Sequence, residues 1–287
     1  MNKYLESILP PLLLNKMKYL NSYIHFVRYK EFLAKNITLK NLHNGKRCFL
    51  LGSGPSILNE NLKPLKNEIV FALNNFCVHD DFEEIMSGNE PKYYITAPIH
   101  PPQTQDEWSR WFFDMEKRIP ITTTLLLGLD KYPFNTKYIT DKYKIFQKHK
   151  MYWYFSGIFI SKDYIFSKSD IQLQKLIWAA SSVSTYAILT AIYMGFDEIY
   201  LLGVDHNYIC ISNEKEYRFY KNSIHQKDEI NRMKLKRSDE IFGAANVFLE
   251  NELIAENTEA KIFNCSEASL LNMFEKKSFL EVLKAKK

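Results

Sequence analysis

The sequence predicts an α/β protein with a mostly parallel sheet and helices on both of its faces. Short apolar segments without polar alternation, such as residues 48–51, are typical of strands that are buried on both faces. Stretches with helical patterning lie between most of these segments, as in the crossover connections of a parallel sheet. A helical N-terminal extension and an irregular, lid-like insert complete the predicted architecture.

The first element is a leader that carries the net charge of the chain. Residues 1–40 hold seven Lys or Arg and two Asp or Glu, and the rest of the chain is balanced, so the formal charge of +5 lies here. The segment is rich in Leu, Tyr and Phe and predicts a basic amphipathic helical leader ahead of a main domain at 41–287. Such a helix can lie on an anionic membrane, and we expect residues 1–35 to contact the inner membrane. The alternative is a helix packed on the main domain with its lysines in water.

The strands come next, each marked by a short buried segment. Pro98, Pro101 and Pro102 indicate a loop after the third strand. Residues 132–170 are rich in Tyr, Phe and Lys with weak periodicity, and we expect irregular structure there. A helix is expected at about 241–256. The predicted strands are 47–51, 68–73, 92–96, 121–127, 198–202 and 261–264.

One stretch has the length of a membrane span. Residues 176–196 contain no charged side chain, which would suffice for a transmembrane helix. However, the stretch has a Ser- and Thr-rich middle, and Asp197 and Glu198 follow it at once. We therefore predict a buried helix with a hydroxyl-lined start and no span.

Composition and motifs narrow the class of protein. A content of 46% hydrophobic and 25% charged residues is ordinary for a folded domain. No cleavable signal is evident, and the four scattered cysteines have no zinc spacing, so we expect free thiols and a cytoplasmic protein, peripheral on the inner membrane. No metal site is predicted, because Asp-x-Asp at a strand end, HExxH and a complete Walker A sequence are all missing. The missing third glycine of the dinucleotide fingerprint argues against NAD.

The loop after the first strand is the strongest candidate for a binding site. It reads Gly52-Ser53-Gly54-Pro55-Ser56. Two glycines allow a sharp turn and a close approach to a ligand, and the serines supply hydroxyls and a helix cap. A helix that starts at the carboxyl end of a strand is a natural phosphate site. The alternative is a tight turn that binds nothing.

Further polar groups follow other strands or begin a helix. Carboxamides after the second strand could pair with a base or a sugar hydroxyl, or cap a turn. Hydroxyls at a helix start could hold a nucleotide, and an acidic residue after residues 199–202 could orient a ribose or a neighbouring loop. A last polar group, residues 264–266, follows the final predicted strand. Together these groups favour a nucleotide-type ligand; the residues concerned are Asn74, Asn75, Ser182, Ser184, Thr185 and Asp205.

The insert at about 206–240 is locally basic. Residues 215–237 contain eight Lys or Arg and three acidic residues, with tyrosines and Phe219 nearby, which would suit a phosphate or an acidic sugar. A solvated loop is the plain alternative. RNA binding is a minor one, because the body is neutral and no nucleic-acid motif is present. His225 lies here and could act as a base at neutral pH, or it could be merely structural or exposed.

Four segments of the chain resemble one enzyme superfamily: residues 50–56, 74–76, 182–205 and 262–271. They resemble the bacterial sialyltransferases of glycosyltransferase family 42. They are equally similar to the related domain of motility accessory factors and of the archaeal 6-hydroxymethylpterin diphosphokinase. The resemblance implies a Rossmann-like fold that binds a CMP-sugar without a metal ion.

The resemblance to the sialyltransferases implies roles for individual residues of this chain. The cytidine and its phosphate would be held by residues 52–56, Asn74 and 182–185. Tyr208 and Tyr217 would stabilise the departing phosphate, and a histidine, here His225, would act as the base in an inverting transfer. The acceptor would be a glycan or glycolipid in surface polysaccharide synthesis. No further cofactor and no nucleic acid is expected.

The chain departs from the sialyltransferase pattern at two positions. Ser53 stands where those enzymes have Asn, and Ala97 stands where they have Asn before Pro98. In addition, His225 is displaced from the sequence context in which their base lies. Two alternatives therefore stay open: an ATP-dependent pyrophosphokinase, and a nucleotide-binding protein of the same fold without catalysis.

Overall fold

A computed structural model describes residues 10–160, 164, 166, 170–210, 218–220 and 237–285. Every neighbouring pair of strands in the described sheet is parallel, in the order β6-β5-β4-β3-β2-β1-β7-β8-β9. The predicted Rossmann-like α/β fold is therefore confirmed. The strands are β1 Arg47–Leu51, β2 Val70–Leu73, β3 Lys92–Thr96, β4 Thr124–Leu129, β5 Met151–Ile158, β6 Leu176–Trp178, β7 Glu198–Leu202, β8 Lys261–Asn264 and β9 Glu275–Lys276.

Helices cover both faces of this sheet. On one face, the helix at Val183–Tyr193 is buried almost all round and packs with Leu50 and Phe71 in one apolar cluster. On the other face, Phe112 shares a second cluster with Phe49. Because both faces are covered, the central strands need no polar alternation. The α-helices are α1 Pro11–Val27, α2 Lys30–Ala34, α3 Phe82–Met86, α4 Gln105–Arg118, α5 Thr136–Tyr143, α6 Val183–Tyr193, α7 Arg237–Asn257 and α8 Phe279–Lys284.

The strand order reverses between β1 and β7. From β1 the chain builds the sheet outward to β6 and then returns to the opposite side of β1 for β7, β8 and β9. The loops after β1 and β7 therefore leave the sheet at the same edge in opposite directions. Ligands of open α/β sheets bind at this kind of reversal.

The expectation of irregular structure at 132–170 is wrong. Helix α5 and strand β5 both lie within it, and β5 is the longest strand described, at eight residues. Because β5 pairs with both β4 and β6, its aromatic residues are buried in turn on each face. This leaves no period-2 pattern to detect, although aromatic residues do favour strands.

Smaller differences concern element boundaries and the uncharged stretch. The second and fourth strands begin at Val70 and Thr124, later than expected. The stretch 176–196 holds strand β6 before helix α6, and Ser182 caps that helix as its hydroxyl-lined start indicates. No helix among the described residues combines the length and apolar character that crossing a membrane requires. All four cysteines are free thiols: Cys48, Cys77, Cys210 and Cys265.

Candidate functional site

The loops that follow β1 and β7 lie against each other at the carboxyl edge of the sheet. The Gly52 N–H donates to the Leu202 carbonyl at 2.8 Å, and the Gly54 N–H donates to the Gly203 carbonyl at 2.7 Å. A Cβ on Gly52 would collide with the Gly203 carbonyl oxygen, and a Cβ on Gly54 would collide with the Asp205 carboxylate. We expected the absence of a side chain at these glycines to leave room for a ligand. In the structure, the loop after β7 occupies that room.

Asp205 joins the two loops. Its side chain is buried, and Oδ2 accepts the Ser56 N–H at 3.0 Å while Oδ1 accepts the Ser56 hydroxyl at 2.5 Å. The sequence left two roles open for Asp205, orienting a ribose or orienting a neighbouring loop. In the structure Asp205 orients the neighbouring loop, through Ser56. A carboxylate is thus already placed at the turn where a phosphate was expected.

The element after this turn differs from the prediction. Pro55–Asn59 is a five-residue 3₁₀ helix, and its N-cap is Gly54 without a side-chain cap hydrogen bond. The expectation that a serine caps a helix here is therefore wrong. The reason is that Asp205, far away in the sequence, satisfies the Ser56 donors instead.

The loop after β7 is itself supported by the loop after β8. The Ser266 hydroxyl accepts the Val204 N–H at 3.2 Å, and the Ser269 hydroxyl donates to the Val204 carbonyl at 2.8 Å. The Asn264 side chain donates to the Leu271 carbonyl at 3.0 Å. The polar group at 264–266 thus holds the backbone beside Asp205.

The two carboxamides after β2 have different surroundings. Asn75 is buried, its Nδ2 donates to the Tyr220 hydroxyl at 3.0 Å, and its Oδ1 accepts the Trp111 indole N–H. Asn74 has a φ of +46°, and its carbonyl accepts the Tyr94 hydroxyl. Its buried Oδ1 has no hydrogen-bond partner among the described residues. Asn75 is therefore committed to packing, whereas the Asn74 Oδ1 is a buried acceptor that no described residue satisfies.

The start of helix α6 meets the loop after β7. The Ser182 hydroxyl caps the helix by accepting the Ser184 N–H at 3.2 Å, and the two serine hydroxyls lie 2.8 Å apart. The Ser184 hydroxyl lies 2.9 Å from His206 Nε2. Burial of the imidazole, and then the nearby Arg218 charge, lowers the pKa of His206 to about 4. His206 is therefore neutral at pH 7.

Thr185 faces helix α7. It is fully buried, and its hydroxyl accepts from Asn251 Nδ2 at 3.4 Å. Both carboxylate oxygens of Glu250 accept the Ser181 N–H, at 2.8 and 3.0 Å. Burial raises the pKa of Glu250 to about 7, and hydrogen bonds from Ser181 and Thr185 oppose that rise. This carboxyl supports the start of α6 from behind.

A short described part of the insert closes the site. The Arg218 guanidinium donates to the Ser53 hydroxyl at 3.0 Å, and the Phe219 N–H donates to the Ser53 carbonyl at 3.0 Å. Tyr220 reaches Asn75, as above. Residues 218–220 therefore bridge the loops after β1 and β2 and bring a guanidinium charge to the sheet edge beside His206.

Sequence reasoning singled out neither Arg218 nor Glu250, and the histidine that it proposed as a base was His225. Arg218 was one of eight basic residues in the insert, and Glu250 belonged to an expected helix. A usable signal for His206 was its place directly after Asp205 at a strand end. Tyr217 and His225 lie outside the described residues, and for Tyr208 only the backbone is described, in the 3₁₀ turn Tyr208–Cys210. Their catalytic roles stay predictions, as do the ligand contacts of the predicted binding residues.

No protein-family model matches this chain, and no curated protein matches it. Among solved structures, it is similar to the sialyltransferase CstII from Campylobacter jejuni, determined in complex with a substrate analogue, cytidine-5'-monophosphate. The identity is 18% and the TM-score 0.44, over 81% of this chain and 85% of that chain. A likeness of this degree does not extend to substrates or site residues. Among the described residues, no three His, Cys, Asp or Glu side chains cluster as metal ligands would.

Proposed function

We propose that this protein is an inverting glycosyltransferase that transfers an acidic, sialic-acid-like sugar from a CMP donor to a glycan or glycolipid, without a metal ion. One observation carries the proposal: polar side chains from distant parts of the chain meet where the strand order reverses. That position is the usual ligand site of an open α/β sheet. The side chains are Ser53, Ser184, His206 and Arg218.

Arg218 is the proposed phosphate ligand. A guanidinium offers five N–H donors in a planar fork that suits phosphate oxygens. One of its donors is directed at the Ser53 hydroxyl, which orients the group at the glycine loop. The Asp205 carboxylate holds the other end of that loop and would repel a phosphate there. These charges favour a phosphate on the Ser53 side of the loop.

Asn74 is the proposed contact to the base. Its buried Oδ1 is an acceptor without a partner among the described residues, and cytosine presents an amino group as a donor on its pairing edge. Uracil carries a carbonyl oxygen at the same ring position, which would oppose Oδ1. A site built around an unpaired acceptor discriminates strongly against a ligand that lacks the donor. The proposal therefore requires CMP to bind more tightly than UMP.

The reaction needs one bond formed and one broken. The acceptor hydroxyl oxygen attacks the anomeric carbon of the sugar, the bond from that carbon to the CMP phosphate oxygen breaks, and CMP leaves with the electron pair. The hydroxyl proton passes to a base, which we assign to His225, with Tyr208 and Tyr217 donating to the departing phosphate. His206 is the rival base because it is neutral at pH 7, although its Nε2 is engaged with Ser184.

Calorimetric titration with CMP, UMP and ATP, each with and without magnesium, tests the binding step. We expect CMP to bind at least tenfold more tightly than UMP, with or without magnesium. Asn74→Gly, which retains the left-handed backbone, should remove this preference. Arg218→Ala should weaken CMP binding by roughly tenfold or more, and Arg118→Ala, at an exposed pair with Asp114, should leave it unchanged. Tighter binding of ATP with magnesium would favour the pyrophosphokinase, and no binding at all would end the enzymatic proposal.

Incubation with CMP-sialic acid and a lactose-terminated acceptor tests the chemistry. We expect CMP release to continue when EDTA removes metal ions. In the product, NMR should show the sugar in the anomeric configuration opposite to that in the CMP donor. His225→Ala should lower turnover by two orders of magnitude or more without changing CMP affinity. If His206→Ala does this and His225→Ala does not, the base is His206. If neither variant slows transfer, the assignment of a histidine base is wrong.

A further inference from the structure

We infer that the outer face of helix α1 is a docking surface for an anionic lipid bilayer. This outer face is a stripe of apolar and aromatic side chains that are 41% to 57% exposed. Five of them recur at alternating spacings of four and three residues, so they lie in one row along the helix. The stripe consists of Leu13, Met17, Leu20, Ile24 and Val27, flanked by Tyr19 and Tyr23.

The opposite side of α1 is firmly attached to the sheet. Ser22 is buried and lies so close to Gly157 of β5 that a Cβ on that glycine would stand 2.7 Å from the Ser22 Cβ. Phe26 is also buried and meets Phe155 edge-on at 5.9 Å between ring centroids. The helix therefore has a committed inner side, and the outer face is not the side that builds this domain's core.

Charge selects the partner. Residues 10–30 contain Lys16, Lys18, Arg28 and Lys30 and no Asp or Glu. Two copies of this face packed together would bring like charges into contact, whereas anionic headgroups would neutralise them. Tyrosines beside an apolar row are typical of helices that lie in the membrane interface. The face thus fits an anionic bilayer better than a second copy of the chain.

The inner side of α1 reaches the carboxyl edge of the sheet, because Lys18 lies one turn before Ser22 in the same helical row. Lys18 and Lys131 both lie over the exposed Phe159 ring, at 5.8 and 5.6 Å from its centroid. Phe159 directly follows β5, and exposed Phe134 lies beyond the end of β4. These contacts place the N-terminal half of α1 at the edge of the sheet at which the candidate site lies.

This geometry has a consequence for the acceptor, which rests on the proposed function. The candidate site at β1 lies four strands from β5, or about 20 Å along the sheet. A protein docked through the outer face of α1 would hold this edge of the sheet near the lipid headgroups. The acceptor class that fits is a glycan linked to a membrane lipid, as opposed to a free saccharide.

Vesicle flotation of the full chain tests the docking surface without any donor or acceptor. Wild type should bind vesicles that contain about one third phosphatidylglycerol and should bind pure phosphatidylcholine poorly. The double variant Leu20→Glu and Ile24→Glu should lose at least a hundredfold in partitioning. The control Leu280→Glu with Ile121→Glu, which places the same two charges at exposed positions outside α1, should bind as wild type does. Lys16→Gln with Lys30→Gln should weaken binding by about thirtyfold.

Three outcomes would overturn the inference: no binding of wild type to anionic vesicles, equal binding of wild type and the Leu20, Ile24 variant, or a wild-type dimer that this variant converts to a monomer. The last outcome would assign the outer face to a second copy of the chain. Circular dichroism of each variant checks that the fold is intact. Because no sugar transfer is measured, vesicle binding and the proposed enzymatic function can fail separately.

Discussion

The carboxyl edge of the sheet is closed by side-chain hydrogen bonds between loops, whereas the amino edge contains a cavity. At the carboxyl edge, side chains from separate loops bond to one another: Ser56 to Asp205, Arg218 to Ser53, and Ser184 to His206. The amino edge instead has a cavity of about 920 Å³, larger than many small-molecule sites need. Its lining mixes both signs of charge, with Lys40, Lys46 and Lys261 beside Asp197, Glu198 and Glu259.

The polar groups of the amino edge hold the chain together. The C-terminal end of α6 lies there, and the carbonyls of Tyr193 and Met194 accept the backbone N–H groups of Asn41 and His43. Asp197 accepts the Gly45 N–H at 3.2 Å. Helices of a parallel sheet present their positive N-terminal ends to the carboxyl edge and their carbonyl ends to the amino edge. Helix polarity and converging donors therefore favour the carboxyl edge for the candidate site, although the amino edge has a cavity of this size.

The largest contrast between the edges is expected from two glycine substitutions. Gly54→Ala at the carboxyl edge should destabilise the protein by roughly 3–5 kcal/mol, because a Cβ would displace the buried Asp205 carboxylate from its hydrogen bonds. Gly45→Ala at the amino edge meets no atom within 4 Å but has a φ of +73°, so it should cost only about 1 kcal/mol. Urea unfolding of both variants measures the difference. Equal losses would mean that the two loops tolerate a side chain alike.

The next effect concerns the pH dependence of stability behind the carboxyl edge. The folded-state pKa of Glu250 is about 7, above its usual 4.5, so its contribution to stability is present below pH 4.5 and is lost as pH rises towards 7. Glu250→Gln should therefore become the more stable protein as pH rises, by on the order of 2 kcal/mol at pH 8.

His43 and His206 titrate in the opposite sense. Their pKa values are lowered to about 4, so their contribution to the free energy of unfolding is lost as pH falls from 6.5 to 4.

Because both histidines are retained in Glu250→Gln, the difference in unfolding free energy between this variant and wild type isolates the carboxyl group. Urea unfolding at pH 5, 6, 7 and 8 gives that difference. It should grow from pH 5 to pH 7 and level off by pH 8, where the carboxyl group is mostly ionised in both the folded and the unfolded state. A difference that stays constant with pH would show that Glu250 titrates at its ordinary pKa in the folded protein.

A third contrast compares two aspartates, one at each edge. Asp205→Asn removes a buried charge that accepts two hydrogen bonds from Ser56 and should cost about 2 kcal/mol. Asp197→Asn removes the charge of an exposed side chain that accepts one hydrogen bond and should cost about 0.5 kcal/mol. Thermal unfolding of the pair is the measurement. If Asp197→Asn costs as much as Asp205→Asn, the amino edge is as tightly organised as the carboxyl edge.

The smallest effect is the coupling between Ser184 and His206. Their hydrogen bond joins the start of α6 to the loop after β7, and a double-mutant cycle with Ser184→Ala and His206→Ala should give about 1 kcal/mol of interaction. Thr38 and Tyr152, an oxygen pair at 3.2 Å near the amino end of β5, provide the matched cycle, which should give less because the site is more exposed. Additive losses at Ser184 and His206 would remove this link from the candidate site.

Much of the fold could be predicted because burial and turn residues leave local patterns. Strands β1, β3, β7 and β8 begin and end where the apolar segments do. The Ser182 cap and the buried character of α6 also follow from nearby residues. Strand β5 was not predicted because its environment on both faces is set by neighbours far along the chain. An aromatic segment without alternation is ambiguous by itself.

The sequence alone determined which residues stand at the ends of strands, since this depends on contiguous segments and on the turn residues that follow them. Tertiary structure decided what those residues do: Asp205 binds Ser56, Asn75 binds Trp111 and Tyr220, and the buried Asn74 Oδ1 has no partner in the described part of the chain. Along the chain, Ser56 lies 149 residues from Asp205, and Trp111 and Tyr220 lie 36 and 145 residues from Asn75. Such contacts depend on the order of strands in the sheet, and that order is set by the packing of whole helices across both faces.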